Sequence, residues 1–399
     1  MKILLFSFYF PPDLSAGSFR MAALVEALSE TDEVTVITTR PNRYASLAAE
    51  APPIEHRGRV TIHRLPVSGH SGGMVSQARS YLGFAVRAVP LALRSETDVV
   101  FVTSSRLFTA VLAAGVSLLK RRPLYLDIRD IFVDTIFDVI RGGWFRPFRP
   151  ALALLERLAV NRAARINLVS PGFLGYFAPR YPGRSFDLFT NGIDTGFLTQ
   201  WEQRSIPARA SNTPFTVLYA GNIGDGQGIH RILPEAAARL GERVRFVIHG
   251  DGGKLQELRE ALAARGTDNV DLRPPIPREA LIAAYSAADA LFVHLNDYPA
   301  FLRVLPSKLF EYGATSLPIL AGVGGVAADL VAAELPDAIL FPPLDCDAMV
   351  VGVETLMKRR DASDRARPDR AGFVDKYLRP RISAQLAAAI RATKNGKRQ

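Results

Sequence analysis

The chain has 399 residues, 48% of them hydrophobic and 22% charged, a composition typical of globular proteins and a length that allows two domains. Lysine and arginine outnumber aspartate and glutamate by 49 to 39, so the formal net charge is +10 and an anionic partner or surface is expected. The chain nevertheless lacks a nucleic-acid recognition motif, an apolar stretch of the roughly 18–20 residues that a transmembrane helix needs, and a second cysteine with which Cys346 could form a disulfide.

The first element is the apolar run from Ile3 to Phe8. It predicts a buried parallel strand and not a signal peptide, because Pro11-Pro12-Asp13 follows without a small-residue cleavage site. Gly17 then precedes a predicted helix from about Ser18 to Leu28, and would let the backbone approach a phosphate. An ordinary turn is the alternative, and a lone glycine disfavours a nicotinamide oxidoreductase. Arg20 is expected to point out of the first helical turn.

Two segments of the first half combine arginine with apolar side chains. The segment from Ser76 to Arg94 carries three arginines among tyrosine, leucine, valine and phenylalanine, and the segment from Arg141 to Arg149 combines arginine with tryptophan and phenylalanine. Such segments could lie in the interface plane of a membrane, so an anionic membrane surface is a predicted partner and nucleic acid is not. The alternative is an amphipathic helix on the domain core with solvated charges.

A charged pair, Arg129 and Asp130, follows the strand predicted at Pro123 to Asp127. Functional residues collect at the carboxyl ends of parallel strands, so both are candidate site residues. Asp130 could accept the proton of an attacking hydroxyl and Arg129 could hold a phosphate, although the two could instead pair with each other. No metal site is predicted here, because Arg129 stands amid carboxylates and opposes a cation.

Strands and helices alternate in both halves, which predicts an α/β protein with two doubly wound parallel sheets. The second half opens as the first does, with a strand at Phe215 to Ala220, a glycine-rich loop at Gly221 to Gly228 and a helix at Ile229 to Leu240. We divide the chain into a first domain at 1–195, a linker at 196–212, a second domain at 213–375 and a C-terminal segment at 376–399. The further predicted strands are Val34 to Thr38, Asp98 to Thr103, Arg165 to Val169, Val244 to His249, Val270 to Arg273, Ala290 to His294 and Pro318 to Ala321.

The most informative stretch is Pro306 to Ala314. Pro306 blocks helix propagation from upstream, and Ser307 is the predicted N-cap of a helix. Lys308 would lie at the mouth of that helix, where an anion is favoured, and Glu311 about one turn further in could accept hydrogen bonds from sugar hydroxyls. A base and an acid on one short segment suit a nucleotide diphosphate-sugar. A capped helix with an acidic residue in its first turn is the alternative.

These motifs resemble those of the retaining GT-B glycosyltransferases of family four, also called glycosyl transferases group 1. That family carries a glutamate, seven residues and a second glutamate; Glu311 matches the second, whereas Arg303 replaces the first. The Pro-Ser-Lys form is similar to a branch that builds bacterial surface polysaccharides and includes N-acetylfucosamine transferases. The resemblance spans nearly the whole chain. It implies two Rossmann-like domains facing a central cleft, with the last helix crossing back onto the first domain.

The resemblance also implies roles for single residues. Glu311 would bind the ribose hydroxyls, Lys308 would meet the diphosphate, and Arg303 would take the place of a donor-sugar contact. The acceptor would lie beside Arg129 and Asp130, so that Asp130, Lys308 and Glu311 carry catalysis. The Arg and Lys-Gly clamp of many members is absent, because Asp225, Gln227 and Gly228 occupy that stretch. The implied donor-binding residues are Gly17, Gly221, Asn222, Gly250, Ile276, Ser307, Lys308 and Glu311.

The resemblance predicts a retaining transfer of a sugar from a nucleotide diphosphate-sugar, most simply a UDP-sugar with an N-acetylated amino sugar as one candidate, and with no metal and no other cofactor. The acceptor would be a hydroxyl of a polyprenyl-diphosphate-linked saccharide in capsule, O-antigen or exopolysaccharide assembly. This chemistry would take place in the cytoplasm, at the inner face of the bacterial plasma membrane. The alternatives are a sugar-nucleotide epimerase or hydrolase, and a non-catalytic scaffold of the same fold in a polysaccharide assembly complex.

Overall fold

The computed structural model describes residues 1–13, 15–41, 50–67, 74–104, 106–131, 133, 147–204, 213–362 and 368–394, with 74–78 described by their backbone alone. Most of the predicted basic and aromatic segment at 141–149, and residues 205–212 of the predicted linker, lie outside this part of the chain. The chain divides into a first unit, residues 1–192 with 379–399, and a second unit, residues 193–378.

The first unit is built on a sheet of order β3-β4-β2-β1-β5-β6-β7-β8, in which only the β3–β4 pair is antiparallel. The strand predicted at Ile3 to Phe8 is β1, and its four residues from Ile3 to Phe6 are almost fully buried in the middle of the sheet. The strands are β1 Lys2–Phe6, β2 Glu33–Thr39, β3 Ile54–Arg57, β4 Val60–Leu65, β5 Val99–Ser104, β6 Leu124–Ile128, β7 Arg165–Leu168 and β8 Phe186–Asp187.

Sequence patterning missed the β3–β4 hairpin. Its outer strand is short and mostly exposed, so it lacks the apolar run that marks a buried strand, and the two-residue turn is made by Gly58 at φ 56° followed by Arg59.

The helices of this part of the chain are α1 Ala16–Ser29, α2 Met74–Arg94, α3 Leu107–Lys120, α4 Arg149–Arg162 and α5 Leu174–Arg180.

The second unit has a parallel sheet of order β11-β10-β9-β12-β13-β14. This is the doubly wound arrangement, in which strands are added first on one side of the first strand, β9, and then on its other side. Its strands are β9 Phe215–Asn222, β10 Val244–Asp251, β11 Val270–Arg273, β12 Ala290–His294, β13 Ile319–Gly322 and β14 Ile339–Phe341. Its helices are α6 Thr195–Glu202, α7 Ile229–Leu240, α8 Leu255–Ala263, α9 Arg278–Ser286, α10 Ser307–Gly313, α11 Gly325–Glu334, α12 Cys346–Asp361 and α13 Ala371–Tyr377.

The division of the chain differs from the predicted boundaries. The predicted linker began at residue 196, but α6 covers most of its first half, and Phe197 and Trp201 are buried in the hydrophobic core of the second unit. The last helix, α14 Arg379–Thr393, belongs to the first unit because Leu386 and Ile390 pack with Leu24 of α1. The predicted fold class, α/β with two Rossmann-like parallel-sheet domains, is confirmed. Within the described residues, no helix has both the length and the apolar character needed to span a membrane.

Candidate functional site

Each sheet has one switch point, where the loops that follow two neighbouring strands turn to opposite faces of the sheet. Ligands of open α/β sheets bind at such switch points. In the first unit the switch point lies between β1 and β5, and in the second unit between β9 and β12. The glycine-rich loop from Gly221 to Gly228 leaves β9 at the carboxyl edge of the second sheet, and His294 ends β12 beside it. The candidate nucleotide site is therefore built from the loops of this edge.

Lys308 and Gly221, 87 residues apart in the chain, lie side by side. The Lys308 ammonium occupies the space that a Cβ at position 221 would need, so any larger residue there would displace it. Gly221 also has φ 152°, a conformation that side-chain-bearing residues rarely adopt. The ring of Tyr219 lies beneath the ammonium, 5.0 Å from Nζ to the ring centroid, and the Tyr219 hydroxyl donates to the carbonyl of Asn222 at 2.6 Å.

The surroundings of Lys308 lower the pKa of its ammonium group. Burial lowers its pKa to about 8, and the carboxylate of Glu311 acts in the opposite direction. Within the described part of the chain, neither Lys308 nor Glu311 forms a side-chain hydrogen bond or ion pair, and both side chains are partly exposed. A partly buried ammonium that forms no ion pair with the described residues suits an anionic ligand, which would return the pKa towards its ordinary value.

The start of α10 differs from the prediction. Pro306, with φ −68° and ψ 133°, is the last non-helical residue, and no side chain caps the helix. Ser307 is therefore the first helical residue and not the N-cap, because the proline ring holds the preceding position in the extended region where the helix cannot yet begin. Ser307 stays a predicted donor contact, while Leu309, Phe310 and Tyr312 bury the opposite face of the helix.

The glycine-rich loop is held by two buried side chains, one from the last residue of β12 and one from just after it. The Nδ1 of His294 donates to the carbonyl of Gln227 at 2.6 Å while its Nε2 accepts from the Leu344 amide at 3.1 Å. Burial lowers the pKa of His294 to about 4, so the ring is neutral near pH 7. Asn296 donates to the carbonyl of Asp225 at 2.8 Å and accepts from Arg231 at 2.8 Å. His294 thus holds the loop in place.

Three further predicted donor residues lie on the same side of the sheet. Gly250 of β10 pairs in register with Gly221, and a Cβ on it would collide with the Gly221 carbonyl. Asn222 is exposed and donates to the Gln227 side chain at 2.7 Å, which closes the loop on itself. Ile276 lies in the loop after β11, whose Pro274 carbonyl is 3.2 Å from His249 Nδ1 at the end of β10. Among the described residues, no hydrogen bond or ion pair joins Ile276 to Lys308.

Arg303 ends a short 3₁₀ turn, Phe301–Arg303, just before α10. The turn packs against the start of α11, where Gly325 at φ 56° touches the Leu302 backbone so closely that no Cβ would fit. Phe301 likewise covers Gly226 of the glycine-rich loop. The close approach of residues 301 and 302 explains why positions 226 and 325 are glycines. Arg303 lies in the chain segment between these contacts and Lys308.

In the first unit, the structure brings Gly17 and Arg129 together. Gly17 lies in the first turn of α1, which Ser15 caps by accepting from the Ser18 amide at 3.1 Å. A Cβ on Gly17 would collide with the Arg129 guanidinium, whose Cζ would be 3.0 Å away. The Arg129 amide continues the sheet by donating to the Ser104 carbonyl at 3.0 Å, and Asp130 is the next, partly exposed residue.

The expectation that Arg20 points outward is wrong. Its side chain is 2% exposed, and its Nη2 donates to Asp127 Oδ1 at 2.9 Å. The same carboxylate accepts from Asn167 Nδ2 at 2.6 Å and from Thr103 Oγ1 at 2.8 Å. Asp127 therefore faces this buried network.

Sequence reasoning missed Tyr219, Asn296 and Gly325. Tyr219 and Asn296 act through the backbone or another side chain, so their types carry no site signature. The cluster Gly322-Val323-Gly324-Gly325 after a predicted strand was a visible signal for a close backbone approach. Within the described residues, no group of three or more His, Cys, Asp or Glu side chains is arranged to hold a metal ion.

Comparison with known proteins assigns both halves of the chain. Residues 200–372 match the family Glycosyl transferases group 1, and residues 17–185 match the Glycosyl transferase 4-like domain. Among individual proteins, the chain is 25% identical over 331 residues to an Escherichia coli K12 glycosyl transferase, WcaI, whose name places it in colanic acid biosynthesis; the match covers 77% of this chain and 80% of that protein.

Solved structures share the fold across the whole chain. A sucrose-phosphate synthase of Thermosynechococcus elongatus superposes with a TM-score of 0.73 at 17% identity, covering 98% of both chains. The Anabaena protein HepE, solved in complex with UDP-glucose, superposes with a TM-score of 0.67 at 16% identity, covering 98% of this chain and all of the other. The two family matches between them take in most of the residues: the second half of the chain matches the glycosyl transferases group 1 and the first half the glycosyl transferase 4-like domain, and the chain is a glycosyltransferase with the GT-B fold.

Proposed function

We propose that this glycosyltransferase moves a sugar from a UDP-sugar to a hydroxyl of a lipid-linked saccharide, with retention of anomeric configuration, in the assembly of a bacterial surface polysaccharide. The observation that carries the donor half is the Lys308 ammonium, which lies against Gly221 at the switch point of the second sheet and forms no ion pair with the described residues. UDP and UDP-glucose in the HepE structures, and the name of WcaI, support the substrate class.

In this proposal the uracil and ribose lie over the loops of Gly250 and Ile276, and the Glu311 carboxylate accepts hydrogen bonds from the ribose hydroxyls. Lys308 contacts the diphosphate. As the bond between the anomeric carbon and the diphosphate breaks, negative charge grows on the leaving oxygen, and an ammonium already in place stabilises it. The first unit supplies the acceptor: Arg129 binds an acceptor phosphate, and Asp130 accepts the proton of the attacking hydroxyl. No metal ion takes part in this scheme.

A thermal-shift screen with UDP, GDP and ADP tests the donor assignment. UDP at a hundredfold excess over its Kd is expected to stabilise the protein by about 2.7 kcal/mol, and thereby to raise Tm by several degrees.

Glu311→Ala should weaken UDP-sugar binding and lower kcat/KM roughly tenfold to a hundredfold, because a hydrogen bond to a charged group contributes about 1.5–3 kcal/mol.

Glu354→Ala is the matched control, because Glu354 lies on the same unit and pairs with Arg243 at its exposed surface. It should change neither UDP binding nor turnover. A folded Glu311→Ala enzyme with the wild-type KM and kcat would overturn the ribose assignment. UDP binding without transfer to any lipid extract would instead favour a non-catalytic scaffold.

We also propose that the first unit binds an anionic membrane. Helix α3 packs against both α2 and α4, and each of the three helices carries exposed leucine or valine. The most exposed are Val86 of α2 at 65%, and Leu118 and Leu119 of α3 at 64% and 66%. Arg94 and Arg122 stand at the ends of the same helices and form no ion pair with the described residues. Apolar side chains beside unpaired cations suit an anionic lipid surface.

Sedimentation with vesicles checks this prediction. The protein should bind phosphatidylglycerol-containing vesicles more tightly than pure phosphatidylcholine vesicles, and Leu118→Glu with Leu119→Glu should weaken binding roughly tenfold or more, since each leucine contributes about 1.5–3 kcal/mol when buried in hydrocarbon. Val351→Glu, an exposed apolar position of the second unit, is the control and should leave binding unchanged. Equal binding to both vesicle types would contradict an electrostatic contribution.

A further inference from the structure

Arg106 is a cation of the first sheet's switch point that sequence reasoning did not single out. It follows β5 directly and precedes α3, while the loop leaving the neighbouring strand β1 carries Phe8 and Tyr9. Its backbone is fixed by the Ser104 hydroxyl, which donates to the Arg106 carbonyl at 2.6 Å. The side chain therefore starts from a rigid position at the carboxyl edge of the sheet, where ligands of this fold bind.

The Arg106 guanidinium lies on aromatic rings and not on a carboxylate. Its Cζ is 4.4 Å from the centroid of the Phe8 ring and 5.6 Å from that of Tyr9, and Nη2 donates to the Tyr9 hydroxyl at 2.9 Å. None of the described carboxylates forms an ion pair with it. A guanidinium has five N–H donors in a planar fork, so most of its hydrogen-bonding capacity is left for a ligand.

Two buried arginines of the same unit have carboxylate partners. Arg20 pairs with Asp127 at 2.9 Å, and Arg64 pairs with Glu55 at 2.8 Å. Holding a partly desolvated cation without a counter-ion is unfavourable unless a ligand supplies the charge. An anion that arrives with a substrate would supply the charge that the described residues do not offer to Arg106.

The apolar surface beside Arg106 indicates what that anion is attached to. The ring of Tyr81 on α2 lies 6.3 Å from Phe8 and 5.7 Å from Phe108, and the Tyr81 hydroxyl donates to the Phe108 carbonyl at 2.5 Å. Phe108 is 45% exposed, and Leu82, the next residue on α2, is 64% exposed. A phosphate next to a hydrocarbon chain matches this sequence of cation, aromatic rings and exposed apolar side chains.

We propose that Arg106 binds the phosphate of the acceptor's polyprenyl diphosphate and that Phe108 and Tyr81 contact the first isoprenoid units. The inference rests on the proposed function and adds to it the residues that would bind the lipid diphosphate of the acceptor. A neutral sugar acceptor would leave the guanidinium without its partner. A phosphorylated lipid satisfies the cation and covers the aromatic rings in a single binding event.

Farnesyl diphosphate is the probe, with farnesol and inorganic pyrophosphate as its two halves, and binding is measured calorimetrically on the full chain. Arg106→Gln should weaken farnesyl diphosphate and pyrophosphate binding roughly tenfold to a hundredfold, because charge-assisted hydrogen bonds to phosphate are lost. Phe108→Ser should weaken farnesyl diphosphate roughly tenfold and leave pyrophosphate unchanged. Neither change should alter the thermal shift produced by UDP, which reports on the second unit.

Arg180→Gln is the matched control. Arg180 also lies over a tyrosine of the first unit, with Cζ 3.7 Å from the centroid of the Tyr176 ring, but it is on α5, away from the β1 and β5 loops. It should bind all probes as the wild type does. Wild-type affinity of Arg106→Gln for farnesyl diphosphate would overturn the proposal, as would farnesol binding as tightly as the diphosphate.

Vesicles distinguish the two possible sources of a lipid phosphate. If Arg106→Gln loses binding to phosphatidylglycerol vesicles but keeps farnesyl diphosphate, Arg106 serves general membrane attachment and the acceptor assignment is overturned. Loss of farnesyl diphosphate with vesicle binding intact supports it. A wild-type protein that binds farnesyl diphosphate but shows no thermal shift with UDP would refute the donor proposal and leave this one standing.

Discussion

Replacing Lys308 with methionine is expected to lower kcat/KM for the UDP-sugar roughly 100- to 1,000-fold, the usual cost of removing one preorganised charge-stabilising donor. Methionine keeps an unbranched apolar stem against Gly221 and above the Tyr219 ring, so the loop should keep its conformation while the leaving diphosphate loses its cation. Steady-state kinetics with the donor found in the nucleotide screen measures the change. Lys254→Met, which removes an ammonium paired with Glu257 on the same unit, should change the rate less than twofold.

The pH dependence separates a charge effect from a packing effect. Burial lowers the pKa of Lys308 to about 8, so raising the pH above 8 in the free enzyme removes the proton that the anionic donor requires. We expect kcat/KM for the donor to fall roughly tenfold per pH unit above that value. Lys308→Met should lack this alkaline decrease. The same decrease in both enzymes would assign it to another group and contradict the role of the ammonium.

Changing Asp127 to asparagine should destabilise the protein by about 3–5 kcal/mol, because it leaves Arg20 buried without a counter-charge. Arg20 and Asp127 are 2% and 0% exposed, and the carboxylate also holds Asn167 and Thr103, so helix α1 and strands β5, β6 and β7 meet at this one group. For a protein of this size, the expected decrease in Tm is on the order of 10 °C by differential scanning calorimetry.

Two control variants make this prediction specific. Asp347→Asn removes the exposed partner of Arg239 and should cost less than about 1 kcal/mol, because solvent screens a surface ion pair. Arg20→Met combined with Asp127→Leu should cost less than the sum of its single changes, because it leaves no buried charge unpaired. Hydrogen exchange should show the loss of protection in Asp127→Asn first in β5 to β7. A change below 1 kcal/mol would mean that water enters the network and that the pair is not isolated from solvent.

Particular elements show what can be read from such a sequence. The helix Ile229–Leu240 and the strands Val270–Arg273 and Ala290–His294 have the predicted bounds. In each of them a regular spacing of apolar residues is followed by residues that end the element. The β3–β4 hairpin was missed because half of it faces solvent. The side-chain directions of Arg20 and Asp127 were also missed, since direction depends on what a neighbouring strand offers and not on local pattern.

The sequence by itself determined the alternation of strands and helices, the fold class that follows from it, and the residue types at the strand ends, because these depend on local periodicity and turn chemistry. Only the tertiary structure decided that Lys308 meets Gly221 and Tyr219, that Arg129 covers Gly17, that Asp127 turns inward to Arg20, and that none of the described carboxylates pairs with Arg106. The physical reason is that charge pairing and desolvation are set by distances between residues far apart in the chain, which strand order fixes and sequence spacing does not.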